Sequence, residues 1–343
     1  MSLTAADLLA GAILLALTAY VLLAGADFGG GVWDLFARGP RRERQRAVIA
    51  RAIGPVWEAN HVWLILVVVL LFTCFPRAFS QIVIALHIPL TLILIGIVLR
   101  GSAFIFRSYG GEDSGGQRRW GRVFAISSLV TPLLLGTAVG TIAAGRVQRP
   151  TGAGFVADFV SPWLTPFAAS VGAFALALFA FLAAVYLTNE TGEEELREDF
   201  RRRALASGAM VFVMAFVSLA LAWQGAPVVW NGLVTAPGAM PFHLIIGAAA
   251  TLALWALWQR RWRVARVAAV VQVTGILWGW ALSQYPWILP PSLSITNAAA
   301  PLITLKLTLG ALALGGLVLF PSLFYLFRVF KSTEQVKGVG SRE

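Results

Sequence analysis

Apolar residues dominate the chain in nine long runs, separated by segments that are polar or rich in Gly and Pro. Runs of about 20 apolar residues are long enough to cross the hydrocarbon core of a bilayer as α-helices. The pattern therefore predicts an all-α polytopic membrane protein with nine transmembrane helices. The predicted spans are residues 6–26, 54–75, 80–99, 123–144, 162–187, 204–223, 240–258, 267–287 and 303–330.

Positive charges alternate between the two ends of these spans. Of the 27 Lys and Arg residues, all but Arg77, Arg146, Arg149 and Lys306 follow the first, third, fifth and seventh spans or lie in the C-terminal tail. Because cytoplasmic loops carry the excess of Lys and Arg, this distribution predicts an outside N-terminus and a cytoplasmic C-terminus.

Composition agrees with a membrane protein, since 58% of the residues are hydrophobic and 13% are charged, against about a quarter charged in soluble domains. The net charge of +11 is explained by orientation, and we expect no nucleic-acid partner. Cys74 is the only cysteine and lies in an apolar run, which indicates a small core residue.

We expect one integral membrane domain over residues 1–343. Four spans followed by four more suggest pseudo-repeats at about 1–145 and 155–290, with an extra helix at about 300–330.

Polar residues interrupt the start of the second span. Glu58, Asn60 and His61 follow Gly54 within an apolar run that continues to Phe75. A charged side chain at mid-membrane costs roughly 2.5–3.5 kcal/mol on insertion scales, so it is retained where it is paired, hydrated or needed. Glu58 and His61 share one helix face, whereas Asn60 points to another. We therefore expect this helix to be buried in protein on at least two sides.

Asp27 lies at the cytoplasmic end of the first span, at a depth similar to that of Glu58. A partly dehydrated carboxyl group can exchange protons near neutral pH, so Glu58, Asp27, His61 and Asn60 form a predicted proton pathway. Two structural interpretations stay open: Asp27 as a residue of the headgroup layer, and Glu58 as the partner of an arginine.

Other polar and aromatic residues of the spans have simpler interpretations. Arg100 ends the third span, where its side chain could extend to the interface. His61 and His87 could ligate a haem, although a histidine that bonds a neighbouring carbonyl is the commoner case. Trp57 and Trp63 are expected to pack within the bundle.

Several motifs resemble subunit II of cytochrome bd-type terminal oxidases. They are residues 25–31 (GADFGGG), 54–65 (GPVWEANHVWLI), 71–76 and 100–104, and Thr131-Pro132 fits the family's fourth helix. The chain departs from the family pattern in three places, with Glu58 for an aspartate, Ala59 for a glycine and Ala24 for an acid, which indicates a divergent member. The resemblance implies nine helices arranged as two four-helix bundles plus one, with the N-terminus outside.

The resemblance also implies a function. Subunit II is a haem-free partner of subunit I, which carries haems b and d, oxidises quinol and reduces dioxygen to water with protons taken from the cytoplasm. This places the chain in the bacterial cytoplasmic (inner) membrane, in contact with lipid and with room for a structural quinone. The family's proton-intake acid corresponds to Glu58, its Gly-Phe-Asp aspartate to Asp27, and Trp63 to a tryptophan near a dioxygen route. Pro55, Trp57 and Arg100 are assigned to structure and assembly, and this chain has no catalytic residue of its own.

Two other functions remain open on the sequence alone. Glu58, Asp27 and the prolines Pro89, Pro132 and Pro166 are compatible with a proton-coupled secondary transporter, because discontinuous helices form transport sites. The pair His61 and His87 is compatible with a haem-binding cytochrome.

Overall fold

The computed structural model describes residues 3–109 and 114–339, and their side chains except 54–59, 107–109, 114–115, 117–118, 320, 323–324 and 326–339. The long helices are α1 (Ala5–Leu35), α2 (Arg42–Cys74), α3 (Pro76–Ala85), α4 (His87–Tyr109), α5 (Ser114–Ala143), α7 (Pro166–Glu190), α8 (Glu194–Gly225), α10 (Ala239–Trp258), α11 (Trp262–Ser283) and α13 (Leu302–Val339). Shorter elements are α6 (Phe155–Phe159), α9 (Pro227–Trp230), a π-helical turn (Asn231–Thr235), α12 (Ile295–Ala298) and the antiparallel pair β1 (Trp287–Leu289) and β2 (Leu293–Ser294).

Within the described residues, eight helices are long and apolar enough to cross a membrane. A ninth span results if Asn60–Cys74 and Pro76–Ala85 are counted together, although these two segments meet at 117°. The break falls at Phe75 because Pro76 lacks the N–H that would continue α2 and instead starts α3. The prediction of an all-α polytopic membrane protein is confirmed.

Helix α7 lies at the centre of the packing. It contacts α8, α5 and α1, and 67% of its apolar stretch is buried. The large core cluster around it joins Tyr20 and Phe28 of α1 to Phe179 and Leu182 of α7 and to Ala268 of α11. Helix α13 lies apart, with 6% of its apolar stretch buried. The largest cluster of buried apolar residues therefore joins the first helix to helices of the second half of the chain.

Helix α1 is longer than predicted. The first span was predicted to end at Ala26, but α1 runs on through Gly29–Gly31 to Leu35. Their role is close packing, because a Cβ atom at Gly29 would collide with the Phe179 carbonyl and one at Gly31 with Ser128. Similarly, α2 begins at Arg42, so much of the basic segment predicted as a loop is helical.

The end of the bundle where α1 meets α2 and α7 meets α8 is called the arginine-rich side. Arg41 makes two hydrogen bonds of 2.8 Å to the Asp199 carboxylate, and Gln45 donates to the same carboxylate at 2.8 Å. The Asp199 hydrogen bond raises the pKa of Arg41. Arg203 donates to Gln45 at 2.7 Å, so these contacts tie α2 to α8 at the rim.

Candidate functional site: a buried ion pair between four helices

Asp27 and Arg100 form a buried ion pair at the junction of α1 and α4. Their side chains are 0% and 1% exposed. Arg100 Nη1 donates to Asp27 Oδ2 at 2.8 Å, and Nη2 donates to Oδ1 at 2.6 Å and to the Asp27 carbonyl at 2.9 Å. A planar guanidinium matches a carboxylate in this two-pronged arrangement, which is the strongest protein ion-pair geometry. The pair brings together residues that are 73 positions apart.

Two further helices complete the surroundings of the ion pair. Asn60 of α2 donates its Nδ2 to Asp27 Oδ2 at 2.8 Å, and Arg100 Nε donates to Ser128 Oγ of α5 at 2.9 Å. Ser128 in turn donates to the Phe124 carbonyl at 2.7 Å. The carboxylate therefore accepts three side-chain hydrogen bonds.

Aromatic rings enclose the guanidinium. The Arg100 Cζ atom lies 4.9 Å from the centre of the Phe28 ring and 4.7 Å from that of Phe124. A cation over a ring face is attracted by the ring quadrupole, and the attraction grows when water is excluded. Since burial of two charges costs several kcal/mol per ion, such a pair is stable only when its hydrogen bonds are this complete.

Small residues make the close approach of these helices possible. A Cβ atom at Gly31 would collide with the Ser128 hydroxyl, and one at Gly96 of α4 would collide with the Thr131 hydroxyl of α5. A short hydroxyl side chain opposite a glycine lets two helix backbones approach in a membrane. The polar side chains of α1, α4 and α5 thus reach each other without an intervening apolar layer.

The structure places the predicted site residues unevenly. Asp27, Asn60 and Arg100 meet in one cluster. Arg100 is buried, so its side chain does not extend to the membrane interface as the sequence suggested. Trp63 packs against the core cluster around α7, and His61 is half-buried one residue after Asn60. The side chains of Pro55, Trp57 and Glu58 lie outside the described residues, and the α2 backbone places Glu58 two residues before Asn60.

Sequence reasoning missed Ser128 and missed the pairing of Asp27 with Arg100. A usable signal was present, because ionisable residues inside membrane segments generally pair with one another. Asp27 and Arg100 are of opposite charge and were both assigned to the same end of the bundle. The hydroxyl-rich start of the fourth span carried the signal for Ser128.

His61 and His87 lie in different helices. His61 is a half-buried residue of α2, 13 residues before Cys74, the last residue of that helix. His87 is the first residue of α4, where its Nδ1 is 3.0 Å from the Ile84 carbonyl and its ring contacts Phe159. Among the described residues there is no group of three His, Cys, Asp or Glu side chains that could hold a metal ion.

These features define a polytopic α-helical membrane protein with an ion pair buried between its helices. A family model, described as Cytochrome bd terminal oxidase subunit II, matches residues 5–330. The chain therefore belongs to the cytochrome bd terminal oxidase subunit II family, which confirms the resemblance seen in its motifs.

Individual relatives agree with this assignment. The chain is 21% identical over 320 residues to a Bacillus subtilis (strain 168) protein provisionally named cytochrome bd menaquinol oxidase subunit II, with 91% of each chain covered. It is 27% identical over 211 residues to the Escherichia coli (strain K12) cytochrome bd-I ubiquinol oxidase subunit 2, covering 60% of this chain and 54% of the relative. The fold matches a chain in the structure of bd oxidase from Geobacillus thermodenitrificans at a TM-score of 0.78 and 24% identity, covering 96% and 99% of the two chains.

Proposed function

We propose that this chain is subunit II of a cytochrome bd-type quinol oxidase in a bacterial cytoplasmic membrane. Its partner is a haem-bearing subunit I, and the complex passes electrons from quinol to dioxygen, which is reduced to water. The family match over residues 5–330 carries the proposal. The names of the relatives, a menaquinol oxidase subunit and a ubiquinol oxidase subunit, support quinol as the electron donor.

The proposed arrangement has nine spans, with the N-terminus outside and the arginine-rich side in the cytoplasm. Helices α1, α2, α4 and α5 make one four-helix bundle, α7, α8, α10 and α11 make the other, and α13 is the additional helix. Packing of α4 on α5 and of α10 on α11 supports this grouping, as does the small buried share of α13. The whole chain acts as one domain, because α7 joins both bundles.

Proton intake is proposed to use Glu58 as the exchangeable acid. Asp27 is held by Arg100 and Asn60, so its carboxylate is a fixed charge next to the route rather than a mobile carrier. Asn60 and His61 follow Glu58 on α2 and line the same segment. This division of roles rests on the complete hydrogen bonding of Asp27.

Haems b and d are assigned to subunit I. The local contact of His87 Nδ1 with the Ile84 carbonyl at 3.0 Å supports a structural role for that histidine in this chain. Trp63 is proposed to border a dioxygen route, and Pro55, Trp57 and Arg100 to maintain the bundle. Lipid, and a structural quinone where one is bound, would contact the exposed apolar faces.

The transporter alternative has lost one of its supports. Pro166 is the first residue of α7, Pro89 lies in the first turn of α4, and Pro132 lies within α5, which continues through it. None of the three prolines therefore divides its helix at mid-membrane, as a transport site would require.

The experiment is purification of the chain from its native membrane, followed by visible spectroscopy and dioxygen uptake. We expect a haem-bearing partner and quinol-dependent uptake. Glu58→Gln should slow turnover while the complex still assembles with its haems, and Glu195→Gln, an exposed acid of α8, should change neither. Purification without a haem protein would contradict the proposed function, and loss of assembly in Glu58→Gln would make Glu58 structural.

A further inference from the structure

Three buried polar atoms around the ion pair have no hydrogen-bond partner in the described part of the chain. They are the Tyr20 hydroxyl on α1, Asn60 Oδ1 on α2 and Thr131 Oγ1 on α5, in side chains that are at most 2% exposed. We propose that they line an internal water-binding site beside Asp27 and Arg100.

Each of the three atoms belongs to a helix that contributes a residue to the ion-pair cluster. Asn60 Oδ1 belongs to the amide group that holds Asp27. Thr131 lies one turn beyond Ser128 on α5 and faces Gly96, which is one turn before Arg100 on α4. Tyr20 lies on the Asp27 face of α1, two turns towards its N-terminus, and is buried at 2% exposure.

The orientation of Asn60 is determined by chemistry. A carboxylate can only accept hydrogen bonds, so the amide must turn its Nδ2 donor to Asp27 and its oxygen away from it. The unpaired oxygen therefore does not result from an exchange of the oxygen and nitrogen positions of the Asn60 amide. It needs a donor, and none of the described side chains supplies one.

Thr131 differs from three other hydroxyl residues of its helix. Ser128, Thr137 and Thr141 each donate to the carbonyl four residues earlier, which is the usual way to satisfy a hydroxyl within a helix. Thr131 makes no such bond. The next residue, Pro132, has no N–H, so it cannot donate to the Ser128 carbonyl and leaves another acceptor one turn from Thr131.

Water is the ligand that fits this set of atoms. Asn60 Oδ1 and the Ser128 carbonyl require donors, whereas the Tyr20 and Thr131 hydroxyls can donate or accept. A water molecule supplies two donors and two acceptors, and buried waters typically bridge polar groups that the protein leaves unpaired. The ion pair is neutral as a whole, so no counter-ion is needed. Use of this water in proton delivery rests on the proposed function, but its presence does not.

X-ray hydroxyl-radical footprinting of the intact complex tests the proposal, because radicals generated from bound water oxidise the side chains next to it. We expect Tyr20 to be oxidised several-fold faster, after correction for intrinsic reactivity, than Phe181, an equally buried ring in the apolar core. Thr131→Val should reduce Tyr20 labelling. The matched change Thr141→Val, on the same helix at a hydroxyl that already has a partner, should leave it unchanged.

Labelling of Tyr20 as slow as that of Phe181 in the wild-type complex would overturn the proposal, as would equal effects of the two threonine variants. Haem spectra and dioxygen uptake of the same preparation test the proposed function separately. Slow Tyr20 labelling in an active oxidase would contradict the water site alone. Fast Tyr20 labelling in a chain that lacks a haem partner would contradict the proposed function alone.

Discussion

The two halves of the chain bury polar groups in different ways. In the first half, α1 to α5, the buried set includes the charged residues Asp27, Asp34 and Arg100. In the second half, α7 to α11, the buried polar side chains of the described residues are hydroxyls and amides only. They are Ser170, Thr188, Thr191, Ser207, Ser218, Gln272 and Ser283.

The difference follows from the partners available. Most buried hydroxyls of these helices donate to a carbonyl of their own helix, as Ser207 does to the Arg203 carbonyl at 2.7 Å, and so need no partner from a neighbouring helix. The exception is Ser218, whose hydroxyl has no partner among the described residues. The charge on Arg100 requires Asp27 and Ser128 from two other helices. The buried ion pair is therefore satisfied only when α1, α4 and α5 keep their relative positions. Among the described helices, this requirement distinguishes the first half of the chain from the second.

The largest expected effect comes from breaking the ion pair on one side. Arg100→Leu would leave Asp27 buried without its counter-ion, which typically destabilises a protein by ~3–5 kcal/mol. We expect a lower unfolding temperature in detergent and loss of assembled complex. Arg146→Leu, a change at an exposed arginine, is the control and should leave both unchanged. An Arg100→Leu protein as stable as wild type would show that the ion pair is not needed for the fold.

Removing both charges should make the first half resemble the second. In Asp27→Leu with Arg100→Leu, most of the stability lost in the single variant should return, because buried ion pairs can often be replaced by apolar residues at little cost. Thermal unfolding of single and double variants measures the recovery. Quinol-dependent dioxygen uptake should remain impaired if the fixed charge supports proton intake. Full activity of the double variant would mean that the pair serves structure alone.

The second half offers a smaller test of the same contrast. Gln272 of α11 is buried, and its Oε1 has no hydrogen-bond partner in the described residues. Gln272→Leu removes this unpaired acceptor and should raise the stability by about 1 kcal/mol. Gln259→Leu, at an exposed position just after α10, is the comparison. A clear loss of stability in Gln272→Leu would indicate that the amide has a partner in the complete complex.

At the arginine-rich side, Asp199→Asn should weaken the link between α2 and α8. We expect a modest decrease in unfolding temperature, because Arg41 is partly exposed and its interaction with Asp199 is screened by solvent. The decrease should diminish as salt is added. Glu43→Gln, at a carboxylate that is 82% exposed, should have no effect. A decrease that is independent of salt would point to packing rather than charge.

The smallest effect is expected at the loop before α6. The Thr151 N–H and hydroxyl donate to Asp158, and these bonds lower the pKa of the Asp158 carboxyl. A lowered pKa in the folded state stabilises the loop above the ordinary carboxyl pKa of about 3.9, and this contribution is lost as pH falls through the lower, native value. Limited proteolysis should show protection of this loop persisting below the ordinary pKa. Asp158→Asn should remove the protection at every pH.

The all-α membrane class and most of the spans were predictable because apolar runs of bilayer length leave few alternatives to a membrane helix; eight described helices meet this length and composition, and a ninth span results only if the bent pair is counted as one. Helix ends were less predictable. The first span was predicted to end at residue 26, yet α1 continues through Gly29–Gly31, where α7 and α5 pack closely against it. The depths of Asp27 and Glu58 could be inferred from span positions. The partner of Asp27 could not, since pairing with Arg100 depends on α4 lying against the α1 face that carries Asp27.

By itself, the sequence determined the class of protein, the membrane spans, the family motifs and the presence of charge within apolar segments. These properties are local, because hydropathy and motif spacing are read along the chain. Only the tertiary structure decided that Asp27, Asn60, Arg100 and Ser128 meet, and that the buried hydroxyls of Tyr20 and Thr131 have no hydrogen-bond partner among the described residues. Those contacts join four helices, and their geometry depends on how closely glycines and hydroxyl residues allow the helices to pack.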